Sequence, residues 1–238
     1  MAFGDLESGL WGVAWFPPSG PGAGVVGVGP EVQPRPLTLS GHEASALWKL
    51  EGEGIELDWE ALSEAVWRDP TAPDQGFDQL CRVSGTIQPG QSASGLPCLG
   101  WRTTHVDPGQ ASSLRQVAAW FEPGDGFAVL ALRPPKAKGQ EQDVVAAAEF
   151  DQQHALRVED PRLSTTYSSS GQATRAGVEL WMEAAEDSEQ LYARRAIGEA
   201  TAPPVQWEVG DVALEAGPFR WYSGGREGPG VYVLGSRR

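Results

Sequence analysis

Residues 47–61 read LWKLEGEGIELDWEA. From Ile55 onward the apolar side chains Ile55, Leu57, Trp59 and Ala61 alternate with the acids Glu56, Asp58 and Glu60. This period of two gives a strand one dry face and one wet face. The preceding Leu47-Trp48-Lys49-Leu50 is matched to it across Gly52-Glu53-Gly54, so the stretch predicts an antiparallel hairpin.

The same pattern recurs along the chain. Further strands are expected at 77–88, 95–106, 114–122, 126–133, 142–150, 162–168, 173–183, 205–208, 211–222 and 230–236. Several connections between them carry turn chemistry: Glu122-Pro-Gly-Asp-Gly126, Ser168-Ser-Ser-Gly171 and Ser223-Gly-Gly-Arg-Glu-Gly228. No strand–helix–strand rhythm is visible, which argues against a parallel sheet. The expected fold class is therefore all-β, an antiparallel meander. Two segments also fit a helix. Ser112–Phe121 places Leu114, Val117, Ala118 and Phe121 at helical spacing, and Glu186–Ala200 is rich in helix formers. Clusters of proline and glycine at 17–36, 69–76, 107–110 and 134–140 are the expected breaks. The third lies near the middle and divides the chain into an N-terminal lobe, 1–108, and a C-terminal lobe, 109–238.

Composition closes off several functions. The 238 residues carry 18 basic against 32 acidic side chains, a net charge of −14, so nucleic acid is not an expected partner. No apolar run approaches the roughly 18 residues of a membrane-spanning helix. The start, MAFGDLESGLWGVAWFPP, has acidic flanks and a broken apolar stretch, unlike a signal peptide or an anchor. A cytoplasmic protein with reduced cysteines is the expectation. Gly22-Ala-Gly24-Val-Val-Gly27 matches the dinucleotide-binding string, but prolines follow where a helix should open, so the nucleotide reading is discarded. His42, His105 and His154 are far apart, and Cys81 and Cys98 form no metal-type pair. No metal and no cofactor is expected.

The polar stretch 98–107, CLGWRTTHVD, is the densest cluster of reactive residue types. With a turn centred on Pro89-Gly90, Cys81 and Cys98 lie opposite one another, and Arg102 joins their apolar face while Trp101 points the other way. A buried guanidinium stays charged and must meet a carboxylate, carbonyls or a polar ligand group. His105 and Asp107, two residues apart, suit a general acid oriented by a carboxylate.

Phe77-Asp-Gln-Leu-Cys-Arg-Val-Ser-Gly-Thr86, the glycine-rich turn, and then Leu99-Gly100-Trp101-Arg102 with His105 resemble the middle of the AttH/CrtC-like family. That family includes carotenoid hydratases (hydroxyneurosporene synthases) and is related to tocopherol cyclase-like proteins. Its motif is a V-S-G strand followed by a G-x-R-D-H-S-W-G-like segment. The chain keeps Val83-Ser84-Gly85, Gly100, Arg102 and a nearby His105. It has Thr103-Thr104 in place of the aspartate and Val106-Asp107 in place of Ser-Trp. The resemblance implies two lipocalin-like β-barrels and a hydratase or cyclase acting on a lipophilic substrate.

Such barrels enclose one small ligand against aromatic walls. The expected partner is thus a lipophilic, isoprenoid- or polyketide-like molecule. Arg102 is the expected polar anchor and Trp101, Trp120, Trp181 and Trp221 the expected walls. A non-catalytic carrier and a carbohydrate-binding sandwich remain the alternatives.

Overall fold

A computed structural model of the chain describes residues 1–17, 21–29, 32–41, 43–44, 46–69, 76–88, 94–104, 111–152, 154–182 and 193–237. Antiparallel strands make up almost all of it, in two lobes.

In the first lobe the strands are β1 (Ala2–Asp5), β2 (Leu10–Trp15), β3 (Gly22–Val28), β4 (Pro34–Ser40), β5 (Trp48–Gly52), β6 (Ile55–Ala61), β7 (Val66–Trp67), β8 (Phe77–Ile87) and β9 (Ser94–Thr103). They run in the order β6-β5-β4-β3-β2-β1-β9-β8-β7, and β6 also pairs with β8, which closes eight of them into a barrel. Closure leaves the ring without an open edge. The hairpin read from residues 47–61 is present, with Gly52 opposite Ile55 and Trp48 opposite Trp59. Its alternation places Trp48, Leu50, Ile55, Leu57 and Trp59 in the barrel core with Phe3, Phe77, Cys81, Val83 and Cys98.

The second lobe holds β10 (Ser113–Glu122), β11 (Asp125–Arg133), β12 (Val144–Phe150), β13 (Ala155–Arg157), β14 (Asp160–Tyr167), β15 (Ala173–Trp181), β16 (Ala193–Ala200), β17 (Val205–Val209), β18 (Val212–Ser223) and β19 (Arg226–Arg237). Their order is β13-β12-β11-β10-β19-β18-β16-β15-β14, with β17 on β18. The sheet curls into a half-barrel, bringing β14 back beside β11 and β12. The expected turns join the long hairpins, and Gly124, Gly171, Gly224 and Gly225 take the positive φ those turns require.

Two expectations are corrected. Of the stretch 17–36 expected as a break, residues 22–28 and 34–36 belong to β3 and β4. Pro34 and Pro36 are tolerated because that half of β4 pairs only with β3; β5 joins from Thr38 onward. The glycine string lies in β3, where a Cβ at Gly24 would stand 2.3 Å from the Val13 carbonyl oxygen, so close strand approach explains it. Cys81 lies opposite Gly100 and Cys98 opposite Val83, two residues from the expected register. A two-residue shift keeps every side chain on its face, so both cysteines still point inward, as free thiols whose burial pushes their pKa up to about 12. Of the two segments that also fit a helix, 113–122 is the strand expected at 114–122, and 193–200 is a strand as well; residues 183–192 lie outside the described part.

The misleading helical spacing in β10 has a physical origin. Its inner face holds Val117 and Ala119 in the half-barrel core, and its outer face holds Leu114, Ala118 and Trp120 in a second core. A strand buried on both sides loses the polar alternation that marks a strand. That second core lies between the lobes, where Trp11, Val13, Val25 and Trp101 of the barrel meet Trp120, Leu130, Trp207 and Leu214 of the half-barrel. Trp120 Nε1 donates across it to the Gly4 carbonyl at 3.2 Å.

Candidate functional site

Two of the four tryptophans expected as walls meet. Trp101 and Trp120 share the layer between the lobes, where Trp101 Nε1 donates to Asp78 Oδ1 at 3.1 Å and Arg68 Nη2 holds the same oxygen at 3.1 Å. Trp221 lies elsewhere, fully buried in the half-barrel core with its ring edge-on to Phe127 at 5.1 Å. Trp181 is on the outer face of β15, between the guanidinium groups of Arg162 and Arg195 at 5.9 and 6.0 Å. His105 and Asp107 lie outside the described residues.

Arg102 sits inside the first barrel with none of its surface exposed. Its Nε donates to Gln79 Oε1 at 2.9 Å, Nη1 to the Ala46 and Trp59 carbonyls at 2.9 and 3.2 Å, and Nη2 to the Ala44 carbonyl at 2.6 Å. The guanidinium also lies 4.7 Å from the centre of the Trp48 ring. Of the partners open to it from sequence, backbone carbonyls are the ones it takes. Burial draws its pKa down, yet a guanidinium keeps its charge, and internal acceptors meet four of its five N–H groups. This geometry closes the barrel end.

The half-barrel has a buried arginine near each end of its inner face. Arg115, on β10, donates from Nε and Nη2 to Asp143 Oδ2 at 3.2 and 2.7 Å, and from Nη1 to Gln140 Oε1 and Thr165 Oγ1. Thr165 in turn meets the Tyr232 hydroxyl at 3.0 Å. This end is a saturated polar plug.

The opposite end is arranged differently. Arg194, at the start of β16, donates to the Gly126 and Phe150 carbonyls at 3.1 and 3.3 Å and to Ser223 Oγ at 3.3 Å. Its Nη2 is 3.0 Å from Asp125 Oδ1, and Asp125 is paired a second time, with Arg226. The hairpin tips 122–126 and 223–226 deliver Asp125 and Arg226 to this mouth. Glu149 comes from the inner face of β12, its Oε1 3.6 Å from Arg194 Nη1. Its other oxygen, Oε2, is buried with no hydrogen-bond partner. Burial raises the Glu149 pKa from its ordinary value, and Asp151 and Asp125 add to that against the opposing pull of Arg194.

Glu149 forms one wall of a cleft of about 740 Å³. Leu156, Val158 and Met182 supply its apolar floor, and Asp151, His154, Arg157 and Glu159 its polar rim. Val158 belongs to the half-barrel core and Met182 packs on it, so the cleft reaches the inner face of the sheet. A carboxyl half-stripped of water beside an apolar floor is the arrangement that suits proton transfer to a nonpolar molecule.

Sequence reading passed over Glu149 and Arg194. The signal was there: Glu149 is the one charge in Val144-Val-Ala-Ala-Ala-Glu-Phe150, much as Arg102 is the one charge on its face. A run without alternation does not show which positions face inward, and without that the glutamate passes for surface.

No protein-family model and no curated protein matches the chain by sequence. Solved structures do match. The crystal structure of CghA aligns with 96% of this chain and 74% of its own at a TM-score of 0.52 and 11% identity. The kievitone hydratase of Nectria haematococca aligns with 96% of this chain and 81% of its own at a TM-score of 0.54 and 8% identity. Across nearly its whole length the chain thus shares with these two proteins a two-lobed, lipocalin-like antiparallel fold.

Proposed function

We propose that the protein binds a lipophilic small molecule, isoprenoid- or polyketide-like, at the mouth of the half-barrel and converts it by hydration or cyclisation. The observation that carries this reading is the cleft itself, an apolar floor on the inner face of the sheet beside one buried carboxyl. In the first barrel, by contrast, Trp48, Trp59, Phe3 and Phe77 fill the core and internal acceptors meet four of the five N–H groups of Arg102. Two further facts support it: one protein of the same fold bears the name of a hydratase, and no described helix is long and apolar enough to cross a membrane.

Nile red, a neutral lipophile whose fluorescence rises in apolar surroundings, tests the site. Met182→Trp fills the cleft from a half-buried position and is expected to weaken Nile red binding about tenfold, close to 1.4 kcal/mol. Equal affinity in the two proteins contradicts the assignment.

A further inference from the structure

We propose that two copies of this chain associate through the outer face of the half-barrel, about a two-fold axis that runs parallel to the strands over the line between β15 and β16. The inference is independent of the cleft and of any ligand.

The face has an apolar ridge and a matching dip. Ile197 and Tyr222 are 42% and 41% exposed and stand directly opposite one another on β16 and β18. No other two large exposed apolar residues among the described ones are paired across strands in this way. Their row runs Ser164, Gly177, Ile197 and Tyr222 across β14, β15, β16 and β18. Gly177 leaves the dip beside Ile197, bordered by Ser164 Oγ, which lies 2.7 Å from where a Cβ would stand.

The charges on either side of the row follow the same plan. Arg175 and Glu179 flank Gly177 on β15, and Arg195 and Glu199 flank Ile197 on β16. Both strands thus read Arg-x-x-x-Glu, and their opposite directions turn that shared order into a checkerboard. Arg175 lies 4.0 Å from Glu199, and Arg195 lies 3.4 Å from Glu179.

A half-turn about the proposed axis lays β15 of one copy over β16 of the other. Ile197 then enters the dip at the partner's Gly177, and Tyr222 comes over the partner's Ser164. Arg175 meets the partner's Glu199, and Arg195 the partner's Glu179. The same half-turn repeats every one of these contacts, which is what a closed two-fold interface requires. Together with Arg220 and Glu227, paired at 3.3 Å, the charges of the face cancel. In a chain of net charge −14, two copies repel over most approaches, and a balanced face is where they can meet without that repulsion. At about 4.8 Å between strands and about 3.3 Å per residue the patch covers roughly 300 Å². A standard interface buries about 800 Å² per partner, so the dimer is weak, with a Kd of about 0.1 mM.

Sedimentation equilibrium of the intact chain from about 10 to about 500 µM is expected to show a reversible monomer–dimer equilibrium of that strength. Ile197→Asp is expected to weaken it at least about tenfold, while the melting temperature in dilute solution stays within about 3 °C because the position is already exposed. Arg195→Glu sets an acid against the partner's Glu179 and is expected to weaken association about tenfold as well. Adding Glu179→Arg to it is expected to bring association back to within about threefold of the parent. An axis running across the strands instead would set like charges together in that double variant, so recovery is specific to the proposed axis. A chain that stays monomeric throughout, a dimer indifferent to Ile197→Asp, or a double variant as weak as Arg195→Glu alone overturns the proposal.

Discussion

Arg102 and Arg194 are both buried cations at the end of a curled β-sheet, and they have opposite surroundings. Arg102 faces four acceptors without formal charge and no carboxylate among the described residues. Arg194 faces two carboxylates, one of which, Glu149, lines a cleft. A cation held by carbonyl oxygens is locked: four of its five N–H groups have partners, and none of the partners titrates. A cation divided between two carboxylates leaves one of them, Glu149, incompletely paired, and such a group changes protonation state with its environment. Burial of a charge is therefore a poor guide to function. What matters is whether its surroundings leave a polar atom unsatisfied beside a space.

The comparison predicts a ranked series of effects. Arg102→Ala leaves the Ala44, Ala46 and Trp59 carbonyls and Gln79 without donors and opens a cavity beside Trp48. Its expected cost is the largest, about 3–5 kcal/mol in chemical denaturation. A loss below about 1 kcal/mol would mean that the carbonyls find water and that the barrel end is open.

Arg194→Ala is expected to cost less, about 1.5–3 kcal/mol, because Asp125 keeps its contact with Arg226. The loss should grow with pH as Glu149 ionises without its cation. A loss equal to that of Arg102→Ala and flat with pH would erase the distinction between the two arginines.

The smallest effect has a defined sign. The Glu149 pKa is raised on folding, so between the ordinary glutamate value and the raised one the folded state binds more protons than the unfolded state. Stability from this group is present at low pH and declines as pH rises through that window. Glu149→Gln removes the decline, and its melting temperature should gain on that of the parent as pH rises. A parent that instead gains on the variant would show Glu149 to be an ordinary ion-pair partner of Arg194.

Much of the fold was legible because hairpins are local. Residues 47–61 and the Gly-Gly and Pro-Gly turns specify their own pairing within a few positions. Where pairing depended on a longer loop, between Ile87 and Ser94, the register came out two residues off. The faces survived because their period is two. Residues 17–36 read as a break because proline and glycine report local freedom, whereas β3 and the start of β4 within that stretch are held by neighbouring strands.

The site was less legible for the same reason. Glu149, Arg194 and Asp125 lie on three strands, β12, β16 and β11, and meet only when the sheet curls. The resemblance drew attention to Arg102, whose burial the alternation had already implied. It said nothing of the residues at the far end of the other lobe.

The most direct test of the account is the protonation state of Glu149. Carbon-13 nuclear magnetic resonance of the glutamate side-chain carboxyls, assigned by the signal lost in Glu149→Gln, follows it through a pH titration with and without Nile red. The account predicts a midpoint clearly above the ordinary glutamate value of about 4.3, and a further rise when Nile red displaces water from the cleft. A midpoint at or below that value, indifferent to Nile red, would contradict it.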